Sequence, residues 1–219
     1  MPLFSGQPAD QATLAALVAD EGVSPRVVDA FRAIDRAMFV PADARARAYV
    51  DRPIEILEGQ TTSQPSLIAR MIDAADLLPG DTVLEVGTGF GYQTALLAHL
   101  AGSCVSIERH AALAEAARTN LEAADVEGVE IIVGDGWQGW EAGGPYDAII
   151  VSAAADQVPE MFVEQLKEGG RLVIPVRGPR GDDVLLYLKR TDHLVMVKLL
   201  TPARFVPLVP GEVADQSNE

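Results

Sequence analysis

The segment Val83-Leu84-Glu85-Val86-Gly87-Thr88-Gly89-Phe90-Gly91 constrains this chain more tightly than any other stretch. A short apolar run that stops at spaced glycines and passes directly into helical periodicity is a strand turning into a helix. Glycine at such a turn lets backbone approach a ligand where a Cβ would collide. The text from Asp81 onward keeps to the same plan. Strands are expected at Thr82 to Val86, Val105 to Glu108, Val129 to Val133, Ala148 to Val151 and Arg171 to Val176. Helices are expected between them, over Tyr92 to Leu100, Ala111 to Ala124 and Pro159 to Leu166. This alternation predicts an α/β fold with a doubly wound, mostly parallel sheet. Val184 to Arg190 and Leu194 to Leu200, parted by Thr191-Asp192-His193, predict a closing antiparallel hairpin, and Phe205 to Val209 one more extended piece.

Ahead of the sheet lies a helical portion. Leu14, Leu17 and Val18 share one side of a helix from about Ala9 to Asp20. Ser24-Pro25 is an N-cap followed by proline at the first helical position, with the helix running to about Arg36. A polar loop, Glu58 to Pro65, leads into a helix from Ser66 to Leu77. A chain of 219 residues with 48% apolar content suits one α/β domain and is too short for two. The expected organisation is a single domain, 1–219: a helical portion with the polar loop (1–78), the core and closing strands (79–210), and a frayed tail (211–219).

Composition removes several functions. The net charge is −15, from 32 acidic against 17 basic side chains, and no basic stripe is present to track phosphates. The same balance disfavours an anionic membrane surface. The one cysteine, Cys104, lies in an apolar run, so it reads as a buried thiol and excludes both an internal disulfide and a multi-cysteine metal site. The first residues carry no basic n-region or apolar h-region, and no stretch is long enough to span a bilayer. A cytoplasmic protein is expected.

The glycine loop gains meaning from what surrounds it. Glu108 ends the second strand roughly twenty residues on, where an acid accepts hydrogen bonds from both hydroxyls of an adenine nucleoside's ribose. Dinucleotide-binding loops read G-x-G-x-x-G, which would require glycine in place of Tyr92; here the spacing is G-x-G-x-G, with Glu85 on the strand before it. That pattern belongs to class I methyltransferases, a Rossmann-like fold, and it excludes NAD. Glu85 is expected near the methionine end of S-adenosylmethionine, and Asp135-Gly136 follows the third strand.

Over nearly its whole length the sequence resembles protein-L-isoaspartate O-methyltransferases of the bacterial type. The likeness rests on Gly59-Gln60-Thr61-Thr62-Ser63-Gln64-Pro65, Leu84 to Gly89, Gly91-Tyr92-Gln93-Thr94-Ala95, Gly134-Asp135-Gly136-Trp137-Gln138-Gly139-Trp140, Tyr146 to Val151 and Arg204-Phe205-Val206-Pro207-Leu208-Val209. The resemblance implies methylation of the α-carboxylate of L-isoaspartyl residues in damaged proteins or peptides. The methyl comes from S-adenosyl-L-methionine, which leaves as S-adenosyl-L-homocysteine, with no metal. It implies Ser63 as the active-site serine. It implies a cofactor site of Thr61, Thr62, Ser63, Glu85, Gly87, Thr88, Gly89, Gly91, Tyr92, Glu108, Arg109, Asp135 and Gly136. Ser152, Arg204 and Val206 are candidates for the substrate side, and a monomer is expected. Three positions depart from the family's habit: Phe90 for a small residue, Thr62 for isoleucine, and Ser66 for something larger.

The chemistry suits these residues. A carboxylate is already ionised at neutral pH, so its attack on a sulfonium methyl needs no general base. The three histidines, His99, His110 and His193, accordingly show no partner spacing and read as structural or surface groups. No G-x-S-x-G elbow supports a hydrolase. Local sequence leaves Ser63 open between positioning a carboxylate and capping the next helix. Trp137 and Trp140 can pack or wall the adenine; Asp147 reads as a turn residue and Asp182-Asp183 as a solvated turn. Two other functions stay in view: a methyltransferase acting on another carboxylate, such as one on a biosynthetic peptide, and a degenerate fold serving as an interaction module.

Overall fold

Side chains along the first core strand point alternately to the two faces of the sheet, and both faces are buried. In the computed structural model, which describes residues 10–211, Val83 packs under the N-terminal helices while Leu84 and Val86 pack on the opposite face. Three helices come first: α1 (Gln11–Asp20), α2 (Pro25–Ala33) and α3 (Pro65–Ala75), with a two-residue pair β1 (Ile54–Glu55) and β2 (Thr61–Thr62) before α3. The core follows as β3 (Thr82–Val86), α4 (Tyr92–Leu100), β4 (Ser103–Glu108), α5 (Ala111–Ala123), β5 (Val129–Val133), β6 (Tyr146–Val151), α6 (Glu160–Gln165) and β7 (Leu166–Gly178). Two strands close it, β8 (Gly181–Arg190) and β9 (His193–Ala203).

The sheet order is β5-β4-β3-β6-β7-β8-β9, parallel from β5 to β7 and antiparallel from β7 to β9. The chain winds outward from β3 through β4 to β5, then returns to β6 on the other side of β3. This reversal opens a crevice beyond the carboxyl ends of the strands, where α/β sheets bind ligands. Val86 stands level with Ile107 on β4 and Val151 on β6, so Gly87, Glu108 and Ser152 emerge side by side.

The N-terminal helices cover the crevice's sheet from one face. Phe31, Met71 and Ile72 are fully buried there, each worth about 1.5–3 kcal/mol relative to exposure. The Phe31 ring meets the edge of Tyr92 at 5.8 Å and 87°. Cys104 is buried on this face, and burial raises its thiol pKa well above the ordinary value.

Several boundaries differ from the sequence expectation. The second helix stops at Ala33, because the Asp35 side chain accepts the Ala37 amide and starts a 3-10 turn, Arg36–Phe39. Ser24 makes no side-chain cap; its own amide donates to Asp73 Oδ1 at 2.7 Å. Strand β7 begins five residues before Arg171, through a register shift opposite Tyr146 and Ala148 in which Gly169 has φ 75°. Its residues Lys167-Glu168-Gly169-Gly170 are polar and glycine-rich and carry no strand pattern, which hid the bulge. Phe205 to Val209 is no ladder strand, and it touches Ala154 through an isolated bridge at Pro207. Asp182 is 7% exposed and accepts the Phe205 amide at 2.8 Å, so it is a buried anchor rather than a solvated turn. The start of the first helix at Ala9 and the tail from 212 onward lie outside the described residues.

Candidate functional site

The glycine loop needs glycine for backbone reasons. Gly87, Gly89 and Gly91 have φ of 97°, 56° and 90°, a region that side-chain-bearing residues rarely adopt. The loop opens into a cavity of about 510 Å³, within the range of small-molecule sites. Gly87, Thr88, Gly89, Tyr92, Glu108, Arg109, Asp135, Gly136, Ser152 and Val206 all line it, as do Thr61, Thr62 and Ser63. Most of the expected site is therefore brought together.

Glu108 is the best-prepared group. Its carboxylate accepts the Gly89 amide at 2.9 Å and the His110 amide at 3.0 Å, one on each oxygen. Each oxygen keeps a further lone pair, so the pair can accept from two vicinal hydroxyls. Asp135 accepts the Trp137 amide at 2.9 Å and the Gly211 amide at 2.8 Å, which fixes it at the far wall. At Gly136 a Cβ would stand 2.4 Å from Val86 Cγ1, so only glycine fits beneath the wall. An acid ending the second strand, a glycine approach and an acid after the third strand make up the pattern expected from the sequence for an adenosyl group.

Three residues expected on the cavity wall are not there. Glu85 is fully buried, because strand alternation turns it toward α4 rather than the crevice. Its carboxylate accepts from Gln93 Nε2 at 3.0 Å, Thr94 Oγ1 at 2.5 Å and Ser106 Oγ at 2.6 Å. Burial pushes its pKa up to about 7, against the pull of those three donors. Ser106 in turn pairs with Thr88 Oγ1 at 2.6 Å, so Glu85 braces the loop from behind. Gly91 also faces away, with Leu121 Cγ and Ala117 Cβ as the neighbours a Cβ would meet. Arg204 is absent from this wall and lines a second cavity instead.

That second cavity, about 320 Å³, adjoins the first. Thr61, Thr62, Ser63, Ser152 and Val206 line both. Asp51 accepts the Ser66 amide at 2.8 Å, the Ser66 hydroxyl at 2.9 Å and Gln64 Nε2 at 2.7 Å. Asp51 thus supplies from a distance the cap that α3 lacks locally, and neither Ser63 nor its threonine neighbours cap that helix. Segment 205–209 closes the cavities on the remaining side. Ala154 donates to Val206 O at 2.8 Å, Leu208 donates to Ala154 O at 2.7 Å, and Arg109 Nη1 reaches Val209 O at 3.2 Å.

Some cavity residues were given no site role in sequence: Ile56, Gln60, Gln93, Leu113 and Ala153, and His110, read there as a structural or surface group, lines the cavity as well. Gln93 links the buried brace to the site, since its Nε2 also reaches Ser152 Oγ at 3.0 Å. It stood in the Gly91-Tyr92-Gln93 motif without a role. Trp137 and Trp140 line neither cavity and pack on the far face of the sheet. Asp147 is structural, accepting the Thr82 amide and Lys167 Nζ. Among the described residues no group of three His, Cys, Asp or Glu side chains could hold a metal ion, and no helix is long and apolar enough to cross a membrane.

The family described as protein-L-isoaspartate(D-aspartate) O-methyltransferase matches residues 10–213. The chain belongs to that family. A protein-L-isoaspartate O-methyltransferase of Methanoculleus marisnigri is 48% identical over 84% of this chain and 83% of its own. The Vibrio campbellii protein of that name is 42% identical over 92% and 96%. A solved protein-L-isoaspartate O-methyltransferase superposes with a TM-score of 0.81 at 33% identity, over 90% of this chain, which spans 65% of that longer one. A Plasmodium falciparum structure in complex with S-adenosyl-L-homocysteine shares the fold at a TM-score of 0.78 and 23% identity, over 91% and 98%.

Proposed function

We propose that this protein transfers the methyl group of S-adenosyl-L-methionine to the free α-carboxylate of L-isoaspartyl residues in damaged proteins and peptides. The ester then closes to a succinimide, which reopens in part to normal aspartate. The observation that carries this reading is the junction at Ser63: one cavity has the features of an adenosyl site, the other is polar and adjoins it, and Ser63 lines both.

The sulfonium, when bound, supplies an electrophilic methyl; the carboxylate oxygen bonds to that carbon as the carbon–sulfur bond breaks, with its electron pair kept on sulfur. The chain's own groups then have three tasks. Glu108 takes the ribose hydroxyls, with Gly87, Gly89 and Gly136 giving room and Asp135, Thr61 and Thr62 completing the wall. Ser63 and Ser152 orient the acceptor carboxylate with their hydroxyls, and the Val206 backbone and Arg204 flank its peptide. The surrounding walls limit water, so alignment supplies most of the acceleration, about 7–11 kcal/mol in well-oriented cases. No proton moves, which suits a site whose acceptor is already ionised.

The whole chain, 1–219, then works as one methyltransferase domain. We place it in the cytoplasm as a monomer with peptide and protein acceptors. Its net charge of −15 argues against nucleic acid and membrane partners. The test is methylation with labelled S-adenosylmethionine of matched peptides carrying isoaspartate or aspartate. Selective labelling of the isoaspartyl peptide is expected. Equal labelling, or none on either, overturns the reading.

A further inference from the structure

Arg36 lies under the junction of the two cavities, and neither its burial nor its bonds are explained by packing alone. Its side chain is fully buried. Nη1 donates to the carbonyls of Ala48 and Val50 at 2.9 and 3.0 Å. Nη2 donates to the Arg52 carbonyl at 3.1 Å, to Thr62 Oγ1 at 3.0 Å and to the Ser63 carbonyl at 3.3 Å. Every acceptor is a neutral oxygen, and among the described residues no carboxylate lies within ion-pair distance of it. The guanidinium also sits 5.8 Å from the centroid of the Tyr92 ring, which lines the first cavity.

Burying a cation with no carboxylate in contact is costly, even with the charge of Asp51 nearby, and an isosteric apolar side chain often packs as well. The cost is offset only where the geometry of the fork is itself needed. Here the fork joins two pieces of chain that share no secondary structure: the irregular stretch 48–52, and Thr62-Ser63, the last residue of β2 and the one after it. Ser63 has no regular element of its own to hold its backbone. Its carbonyl is held by Arg36, and its neighbour's hydroxyl accepts from Arg36 and from the Ile54 amide at 3.1 Å.

We infer that Arg36 is a positioning residue for methyl transfer: its guanidinium fixes the Thr62-Ser63 backbone at the junction, and so sets where the Ser63 hydroxyl stands relative to the acceptor carboxylate. The inference rests on the proposed isoaspartyl reaction. A lysine keeps the charge but puts one nitrogen with three donors where the planar fork uses two, so it cannot hold all five acceptors.

The experiment compares wild-type protein with Arg36→Lys and Thr62→Val. It measures kcat and KM for an isoaspartyl peptide, S-adenosylhomocysteine affinity by calorimetry, and the folded fraction by thermal melting. Misplacing a reacting group by about 1 Å costs up to about 100-fold. Arg36→Lys is therefore expected to lose about tenfold or more in kcat/KM per folded molecule, with homocysteine-product affinity within about threefold. Thr62→Val removes one of the two loop acceptors in a fold that keeps Arg36, and is expected to lose less, about threefold. Equal kcat/KM in Arg36→Lys and wild type, counted per folded molecule, overturns the inference. So does a parallel loss of product affinity, which would make Arg36 a support of the whole cleft. If Arg36→Lys does not fold, an unchanged kcat/KM in Thr62→Val overturns it. Wild-type protein that labels neither peptide overturns the proposed reaction and this inference with it.

Discussion

The carboxylate of Glu108 accepts the backbone amide of Gly89 at 2.9 Å, so the acid on the second strand and the loop after the first are locked in one geometry. Its remaining lone pairs face the cavity and need no reorganisation to take two hydroxyls. Glu108→Gln replaces one of those acceptors by a donor. Hydrogen bonds to a charged group contribute about 1.5–3 kcal/mol each, so affinity for S-adenosylhomocysteine should fall about 10- to 100-fold. Calorimetric titration of the variant checks this, and an unchanged affinity would remove Glu108 from the nucleoside site.

Ser63→Ala leaves the carbonyl that Arg36 holds and removes only the hydroxyl at the junction. Losing one charge-assisted bond to the acceptor should lower kcat/KM by about tenfold or more, with S-adenosylhomocysteine affinity within about threefold. Steady-state kinetics with the isoaspartyl peptide, beside a binding titration, separate the two effects.

Glu85 makes stability depend on pH. Burial raises its folded-state pKa from 4.5 to about 7, so the folded protein holds a proton that the unfolded chain releases. Its contribution is complete below the unfolded value and is lost as pH rises from about 4.5 through about 7, at about 1.4 kcal/mol per pH unit. Glu85→Gln, which cannot ionise, should lack this slope. Denaturant unfolding of both proteins from pH 5 to 8 should show wild type losing about 2–3 kcal/mol relative to the variant across that window. Parallel curves would mean that Glu85 is ionised in the folded protein at every pH tested.

Gly136→Ala should damage stability and binding together. The added carbon would meet Val86 Cγ1 at 2.4 Å, and Val86 is β-branched and held in the sheet. Overpacking of this kind costs about 1–3 kcal/mol, and the strain falls on the cavity floor. A lower melting temperature and weaker S-adenosylhomocysteine binding are the expected results.

The sheet was legible because its signals are local: apolar runs of strand length, glycines at turns, proline at helix starts. The position of Glu108 was legible for the same reason, since strand ends in a doubly wound sheet come out level. Glu85 shows where local reading stops. Its place before the glycines suggested the ligand, but one step of strand alternation turns it to the covered face, and only the packing of α4 shows what it meets. Gln93 and Arg36 were hidden more deeply. Gln93 spans from a helix to Glu85 on one strand and to Ser152 just past another, and Arg36 gathers carbonyls from 12 to 27 residues away, contacts that leave no periodic trace. The early start of β7 was masked by the polar, glycine-rich bulge that makes it possible.

The segment that closes the cavities, residues 205–209, follows the last strand of the sheet. During synthesis every ladder can therefore form before the nucleoside site has its final wall. A chain that stalls or is clipped between Ala203 and Val206 would retain the architecture yet leave Ala154 without its two backbone partners and the cleft open to water. The wall that completes the cleft is thus a late addition to the polypeptide, made after the scaffold and separable from it by a single cut.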